Sequence, residues 1–251
     1  APQLKKAVFN NSVLGYGMFY NCTDLRNVYI AIGITVIPEI AFKNCANLTL
    51  VVSKDEAKYN TIVNELDDTF SFDKEVFVSS NLITFEVSAF ENCTSIDNVE
   101  FKYIVNTGNR VFYNSGLTSV YIPRGTIEYV GEELFASSKE LVLADIDCPM
   151  LSVSMFEDCI KLDNMDIIED TKVIPTKAFK NCASLTTLVL PYSLEEIQAE
   201  AFKQTNIPSI TINTYVDVIG EEAFAECKNL KSAIIYPAVG PSFGVSLFED
   251  C

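Results

Sequence analysis

A chain of 251 residues that is 49% hydrophobic can fill a substantial core, while its formal net charge of −16, from 34 acidic and 18 basic side chains, opposes binding to nucleic-acid backbones and anionic lipid. It contains no histidine, which removes the usual general base near neutral pH, the Ser-His-Asp and Cys-His nucleophile systems, and the commonest metal ligand. No stretch of eighteen apolar residues offers a membrane span, and the opening segment, with two lysines but no apolar run after them, is not an intact signal peptide.

Read in chain order, the sequence repeats itself. A phenylalanine stands at Phe19, Phe42, Phe90, Phe112, Phe135, Phe156, Phe179, Phe202, Phe224 and Phe248. The steps are 21 to 24 residues, apart from one of 48 with Leu66 at its midpoint, so the spacing predicts eleven repeat cores, the one at Leu66 degenerate. After Phe19 come Cys22, Leu25, Val28 and Ile30, and after Phe90 come Cys93, Ile96, Val99 and Phe101 at the same offsets. Residues 54–85 break the pattern and read as a degenerate repeat or an insertion.

Each unit has its own local chemistry. Val28/Ile30, Val99/Phe101, Val120/Ile122, Leu188/Leu190 and Ile210/Ile212 alternate with period two and mark short strands with one buried face. Pro123, Pro191 and Pro237 follow such strands and end them. Pro38 and Pro175, four residues ahead of their Phe, predict short helices opposite the strands, as do Gly131 and Gly220 in Gly-Glu-Glu-x-Phe. Units of this size cannot bury an apolar side alone. The expectation is therefore an α/β solenoid forming one domain over residues 1–251, with a parallel sheet on one face and short helices or turns opposite. The chain stops at Cys251, part-way through a repeat and without a polar cap, so more chain is expected to follow in the natural protein.

Seven of the eight cysteines (Cys22, Cys45, Cys93, Cys159, Cys182, Cys227 and Cys251) lie three residues after the repeat Phe, where Ser115, Ser138 and Thr205 stand in other copies. A position that accepts Cys, Ser or Thr wants a small, nearly buried side chain with a weak donor directed at turn carbonyls. Stacked neighbours would have parallel Cβ vectors, so free thiols are predicted rather than disulfides, and no spacing suggests a zinc site. Cys148 lies outside this ladder.

The combined pattern Ile-x-x-x-Ala-Phe-x-Asn-Cys-x-x-Leu-x-x-Leu-x-Leu-Pro, clearest at 41–48, 89–96, 178–191 and 219–230, resembles the BspA-type leucine-rich repeat. The resemblance implies a right-handed solenoid of repeats of about 23 residues. It also implies an adhesin-like role at a cell surface or after secretion, in contact with host or neighbouring-cell components.

If the strands form an exposed sheet, the residues between the buried pairs face solvent. Tyr29, Glu100, Tyr121, Asp166 and Thr211, with the flanking Tyr236, are the candidate ligand contacts, together with Val189 and Ile234. Tyrosines among Asn, Ser and Thr suit an adaptable binding surface, although β-propensity alone also places Tyr and Thr on outward strand positions. The expectation is a monomeric, non-catalytic module for a protein or glycan ligand, host extracellular matrix included, with no cofactor, metal or nucleic-acid partner. The alternative is a spacer that presents another domain. Acidic pairs such as Glu195-Glu196 do not suit glycoside hydrolysis, because adjacent residues on a strand face opposite ways.

Overall fold

A computed structural model describes residues 3–9, 13–30, 33–53, 75–76, 83–99, 101, 104–125, 127–236 and 242–251. Two rows of parallel strands run along it. The first row contains Lys6–Phe9, Asn27–Ile30, Leu50–Ser53, Glu75–Val76 and Asn98–Val99 as one sheet. Ser119–Ile122, Leu143–Ile146 and Asn164–Ile167 form a second sheet in this row, and Ser209–Ile212 with Ser232–Ile235 a third. The other row holds Val36–Ile37, Ile83–Phe85, Ile104–Thr107 and Tyr129–Val130, then Val173–Ile174, Glu196–Ile197, Val218–Ile219 and Ser242–Phe243. Every pairing is parallel and joins one repeat to the next, as a solenoid requires.

The core between the rows is built around the recurrent phenylalanines. Phe19 stacks on Phe42 with ring centroids 5.3 Å apart and an interplanar angle of 7°. The series continues through Phe179 on Phe202 (5.3 Å, 3°) to Phe224 on Phe248 (5.7 Å, 20°). Phe85 and Phe101 wedge edge-on against it, Phe85 at 5.2 Å from Phe90 and Phe101 at 5.9 Å from both Phe112 and Phe135. Strand residues such as Val28, Ile122 and Ile212, and ladder residues such as Leu25 and Leu185, complete the buried cluster.

Two expectations are corrected here. The first is the count of eleven. Phe42 stacks directly on Phe90 at 5.1 Å and 12°, which leaves no room for a rung between them, so the ladder has ten rings. Val36–Ile37 likewise pairs directly with Ile83–Phe85. Between residues 54 and 82 the described contribution is the strand Glu75–Val76, inserted in the first row between Leu50–Ser53 and Asn98–Val99. Leu66 lies outside the described residues. Turns that pass through both strand rows number about eight.

The second correction concerns the short helices. No α-helix occurs among the described residues. In the turn that carries each Phe, the residues two before and two after it adopt the left-handed conformation: Ile40 (φ 50°) and Asn44 (φ 64°) around Phe42, Glu133 (φ 53°) and Ser137 (φ 60°) around Phe135, Glu222 (φ 54°) and Glu226 (φ 58°) around Phe224. A helix cannot pass through such residues. The alternation instead sends every second N–H to the next repeat: Ile40 N to Val87 O (3.0 Å), Phe42 N to Ala89 O (2.8 Å) and Asn44 N to Glu91 O (2.8 Å). The intervening Ala41, Lys43 and Cys45 N–H groups close onto Pro38, Ile40 and Phe42 of their own turn. The row therefore behaves as a third hydrogen-bonded stack, and its backbone donors are satisfied between repeats rather than along a helix. Gly131, read from sequence as a helix start, serves close packing: a Cβ there would come within 2.2 Å of the Gly108 carbonyl carbon.

One charged cluster ties this row together. Glu91, with its side chain 6% exposed, accepts from Lys43 Nζ at 2.9 Å and Arg110 Nη2 at 3.2 Å, and Arg110 also reaches Glu133 at 2.5 Å. Burial pushes the Glu91 carboxyl up, but hydrogen bonds from Arg110, Ser88 and Lys43 outweigh it and hold it below the ordinary carboxylate range. A carboxyl lowered in the folded state stabilises the fold above its unfolded-state value, and that contribution is lost as pH falls through the folded one. Glu91→Gln is therefore expected to cost about 1–2 kcal/mol at pH 7, with the difference from the parent chain shrinking below about pH 4. Urea unfolding at the two pH values measures this.

Candidate functional surface

The first strand row leaves one face to solvent over residues 119–236. Its inward residues, Val120/Ile122, Ala144/Ile146, Met165/Ile167 and Ile210/Ile212, are buried. Period two then turns the residues between them outward. Parallel pairing sets Tyr121 beside Asp145 and Asp145 beside Asp166, and sets Thr211 beside Ile234. Two residues earlier, Ser119 lies in register with Leu143, and Ser209 with Ser232. The result is a flat polar strip with apolar patches. Tyr121 is 53% exposed, Val189 68%, Ile234 48% and Tyr236 53%, and Asp145, Asp166 and Thr211 are also exposed.

Charge on this face has one sign. The strands Ser119–Ile122, Leu143–Ile146, Asn164–Ile167, Ser209–Ile212 and Ser232–Ile235 contain no Lys or Arg. Asp145 and Asp166 are direct register neighbours, and among the described residues no ion pair reaches either of them. Like charges on adjacent strands repel, so this pair favours a cationic group brought to it from outside.

The sequence-selected residues fare unequally. Tyr121, Asp166, Thr211 and Tyr236 stand on the exposed face, while Glu100 lies outside the described residues. Tyr29 is a correction. It is only 3% exposed, with Lys6 Nζ 5.2 Å from its ring centroid, and burial pushes its phenol above the ordinary value. Alternation places it outward, but it is enclosed where it sits and is not an accessible ligand contact. The period-two pattern of buried pairs misses Asp145 and the 48%-exposed Leu143. Asp145 stands ten residues after Phe135, the offset of Tyr29 from Phe19, so spacing would have found it. The smallness of Ala144 hid the strand.

The face offers hydrogen-bond acceptors, hydroxyls and rings. Among the described residues, no three His, Cys, Asp or Glu side chains gather as a metal site. Nor is any helix long and apolar enough to cross a membrane.

Comparison with known proteins agrees with this geometry. The family model described as the BspA type leucine rich repeat region matches residues 67–153 and 149–251, most of the chain. Comparison with curated protein sequences gives no match. Among solved structures, a leucine-rich repeat protein from Bacteroides ovatus superposes with a TM-score of 0.78 at 21% identity. That match covers 98% of this chain and 61% of the Bacteroides chain, so the present chain spans less than two thirds of it. The pneumococcal vaccine antigen PcpA gives a TM-score of 0.52 at 16% identity, covering 100% of this chain and 77% of its own. At such identities the likeness concerns the fold.

Proposed function

The chain belongs to the BspA-type leucine-rich-repeat family, and from that premise we propose that it is a non-catalytic binding module, at a cell surface or secreted, which holds a protein partner on its exposed strand face. The observation that carries this reading is the in-register row Tyr121–Asp145–Asp166, exposed and free of basic residues. Tyrosine supplies apolar area with a polar tip at small entropic cost, and the two carboxylates select a partner segment with Lys or Arg opposite them. Leu143 and Val189 flank the row with apolar surface. Extracellular-matrix proteins of host or neighbouring cells are the partner class to examine first.

The test is a binding screen of the purified chain against such proteins on a biosensor. Tyr121→Ala and the double variant Asp145→Asn/Asp166→Asn run alongside. Saturable binding that weakens at least about tenfold in each, with the slope against salt flattened in the Asn pair, is the expected result. Binding indifferent to all three changes moves the site off this face. An absence of binding favours the second role for which a rigid stack is suited, a spacer that holds another domain away from the surface.

A further inference from the structure

A second surface lies on the edge of the solenoid where the chain passes from the first strand row to the other. Two successive turns there each expose a tyrosine. Tyr192 sits in the turn closed by Leu194 N to Pro191 O (3.2 Å), and Tyr215 in the turn closed by Val216 N to Asn213 O (3.4 Å). Both turns are pinned: Asn213 Nδ2 donates to Pro191 O (2.9 Å), Tyr215 N to Asn213 Oδ1 (2.8 Å), and Ser193 Oγ to Thr171 O (2.9 Å). The rings themselves are 74% and 62% exposed. Turn positions favour Gly, Pro, Asn, Asp and Ser for backbone reasons, and a ring this exposed adds little to the core, so packing does not account for either tyrosine.

Both tyrosines line an open hollow of about 540 Å³. Its lining includes a row of one charged residue per repeat, Lys172, Glu195 and Asp217, joined through Glu195 N to Lys172 O and Asp217 N to Glu195 O, both 2.8 Å. Lys172 pairs with Glu195 at 2.5 Å, and among the described residues no ion pair reaches Asp217. Ser193 and Thr214 add hydroxyls to the lining. A second hollow of about 460 Å³ shares Lys172 and continues the surface to Tyr129, which is 55% exposed, beside Met150.

We propose that this edge is a binding site for a neutral glycan, with the faces of Tyr192 and Tyr215 covering the C–H faces of successive pyranose rings. Exposed aromatic faces supply the apolar area. Carboxylates accept hydrogen bonds from pairs of sugar hydroxyls, and an ammonium donates to them. The hollow has the size of a small-ligand site. Anionic sugars are disfavoured by Glu195, Asp217 and the adjoining Asp170. A cationic peptide is disfavoured by Lys172, which stands at one end of the row and already pairs with Glu195. The site is separate from the strand face and does not depend on the protein-binding role assigned there.

The purified chain would be titrated calorimetrically with maltohexaose, cellohexaose, mannohexaose and a poly-N-acetyllactosamine hexasaccharide, and separately with oligogalacturonate and oligolysine. The expected result is saturable binding of at least one neutral sugar that changes little between 0.1 and 0.5 M salt. Tyr192→Ala and Tyr215→Ala each weaken it about tenfold, Tyr192→Phe retains it, and melting temperatures are unchanged because both rings are exposed. Tyr121→Ala, on the strand face, leaves it unchanged. The proposal is overturned if no neutral sugar saturates, if binding ignores both Ala variants, or if only oligolysine binds and is lost in 0.5 M salt.

Discussion

Replacing Phe135 with alanine is expected to lower the unfolding free energy by about 3–5 kcal/mol, the range for truncating a fully buried aromatic. The ring is completely buried. It stacks on Phe112 at 6.0 Å and on Phe156 at 5.6 Å, and takes the edge of Phe101 at 5.9 Å, so its loss leaves a cavity touching three neighbours. The backbone rung from Phe135 N to Met155 O (3.0 Å) survives the substitution and limits how far the turn can collapse into that space. Stability in a solenoid is a sum of repeats and their interfaces, and a weak interface in the middle uncouples the two sides. Urea unfolding followed by far-UV circular dichroism should therefore show an earlier and broader transition, with the two halves melting separately. Phe248→Ala, whose ring is half-buried and stacks on Phe224 alone among its ladder neighbours, is expected to cost about half as much. A loss below about 1 kcal/mol for Phe135→Ala would show that the rings are not interlocked.

The parts of this fold that could be read from sequence are those fixed by residue type at a constant offset. The Phe stack, the Cys/Ser/Thr position and the period-two strand pairs are of this kind, because each needs a particular size or polarity in every repeat. The turn row is not. Its geometry depends on left-handed residues two before and two after each Phe. After the Phe, Asn21, Asn44, Asn92, Asn114 and Asn181 give a visible sign, since Asn tolerates that region. Before it stand Gly17, Ile40, Arg110, Glu133 and Lys177, which share no chemistry, and a Pro or Gly followed by acids looked like a helix start. What decides the conformation is hydrogen bonding to the next repeat, which local sequence does not record.

The same distinction governs the two candidate surfaces. Outward strand positions follow from alternation, which located Tyr121, Asp166 and Thr211 but misjudged Tyr29, because alternation reports direction and says nothing of what covers a residue. The 48-residue step suggested a rung at its midpoint, yet the Phe42–Phe90 stack closes over it. The edge tyrosines share one offset, thirteen residues after Phe179 and Phe202, but Gly125, Cys148 and Glu169 hold that place in other repeats, so residue type does not mark it. Tyr192 and Tyr215 occupy non-equivalent positions in their turns, and only the spatial adjacency of those turns brings them to one hollow.

The thiol ladder is expected to be chemically silent in the native chain. None of the eight cysteines forms a disulfide, and seven are buried, Cys251 being the exposed one. Cys45 Sγ donates to Phe19 O at 3.0 Å, Cys93 to Phe42 O at 3.1 Å, Cys159 to Phe135 O at 3.2 Å and Cys182 to Phe156 O at 3.2 Å, each reaching back to the phenylalanine of the preceding repeat. Ser138 makes the same bond to Phe112 O at 3.0 Å, which explains why the position tolerates a hydroxyl. Burial pushes the Cys45 thiol up to about 12 and raises Cys93, Cys159 and Cys182 as well. At pH 8 a thiol at 12 has a thiolate fraction about a thousandfold below that of an ordinary cysteine, before steric exclusion is counted. Titration of the native chain with a disulfide reagent should register Cys251 quickly and Cys45, Cys93, Cys159 and Cys182 at least about a thousandfold more slowly, with all eight cysteines reacting in denaturant. The same raised values give stability a sign in alkali. The folded state holds protons that the unfolded chain has released, so stability is full below about pH 9 and falls as pH rises toward 12. Cys45→Ser, which keeps a donor but titrates far higher, should make that decline shallower. Rapid native labelling of several thiols would instead mean that the turn row opens on its own, and the carbonyl bonds that define the ladder would then not hold it shut.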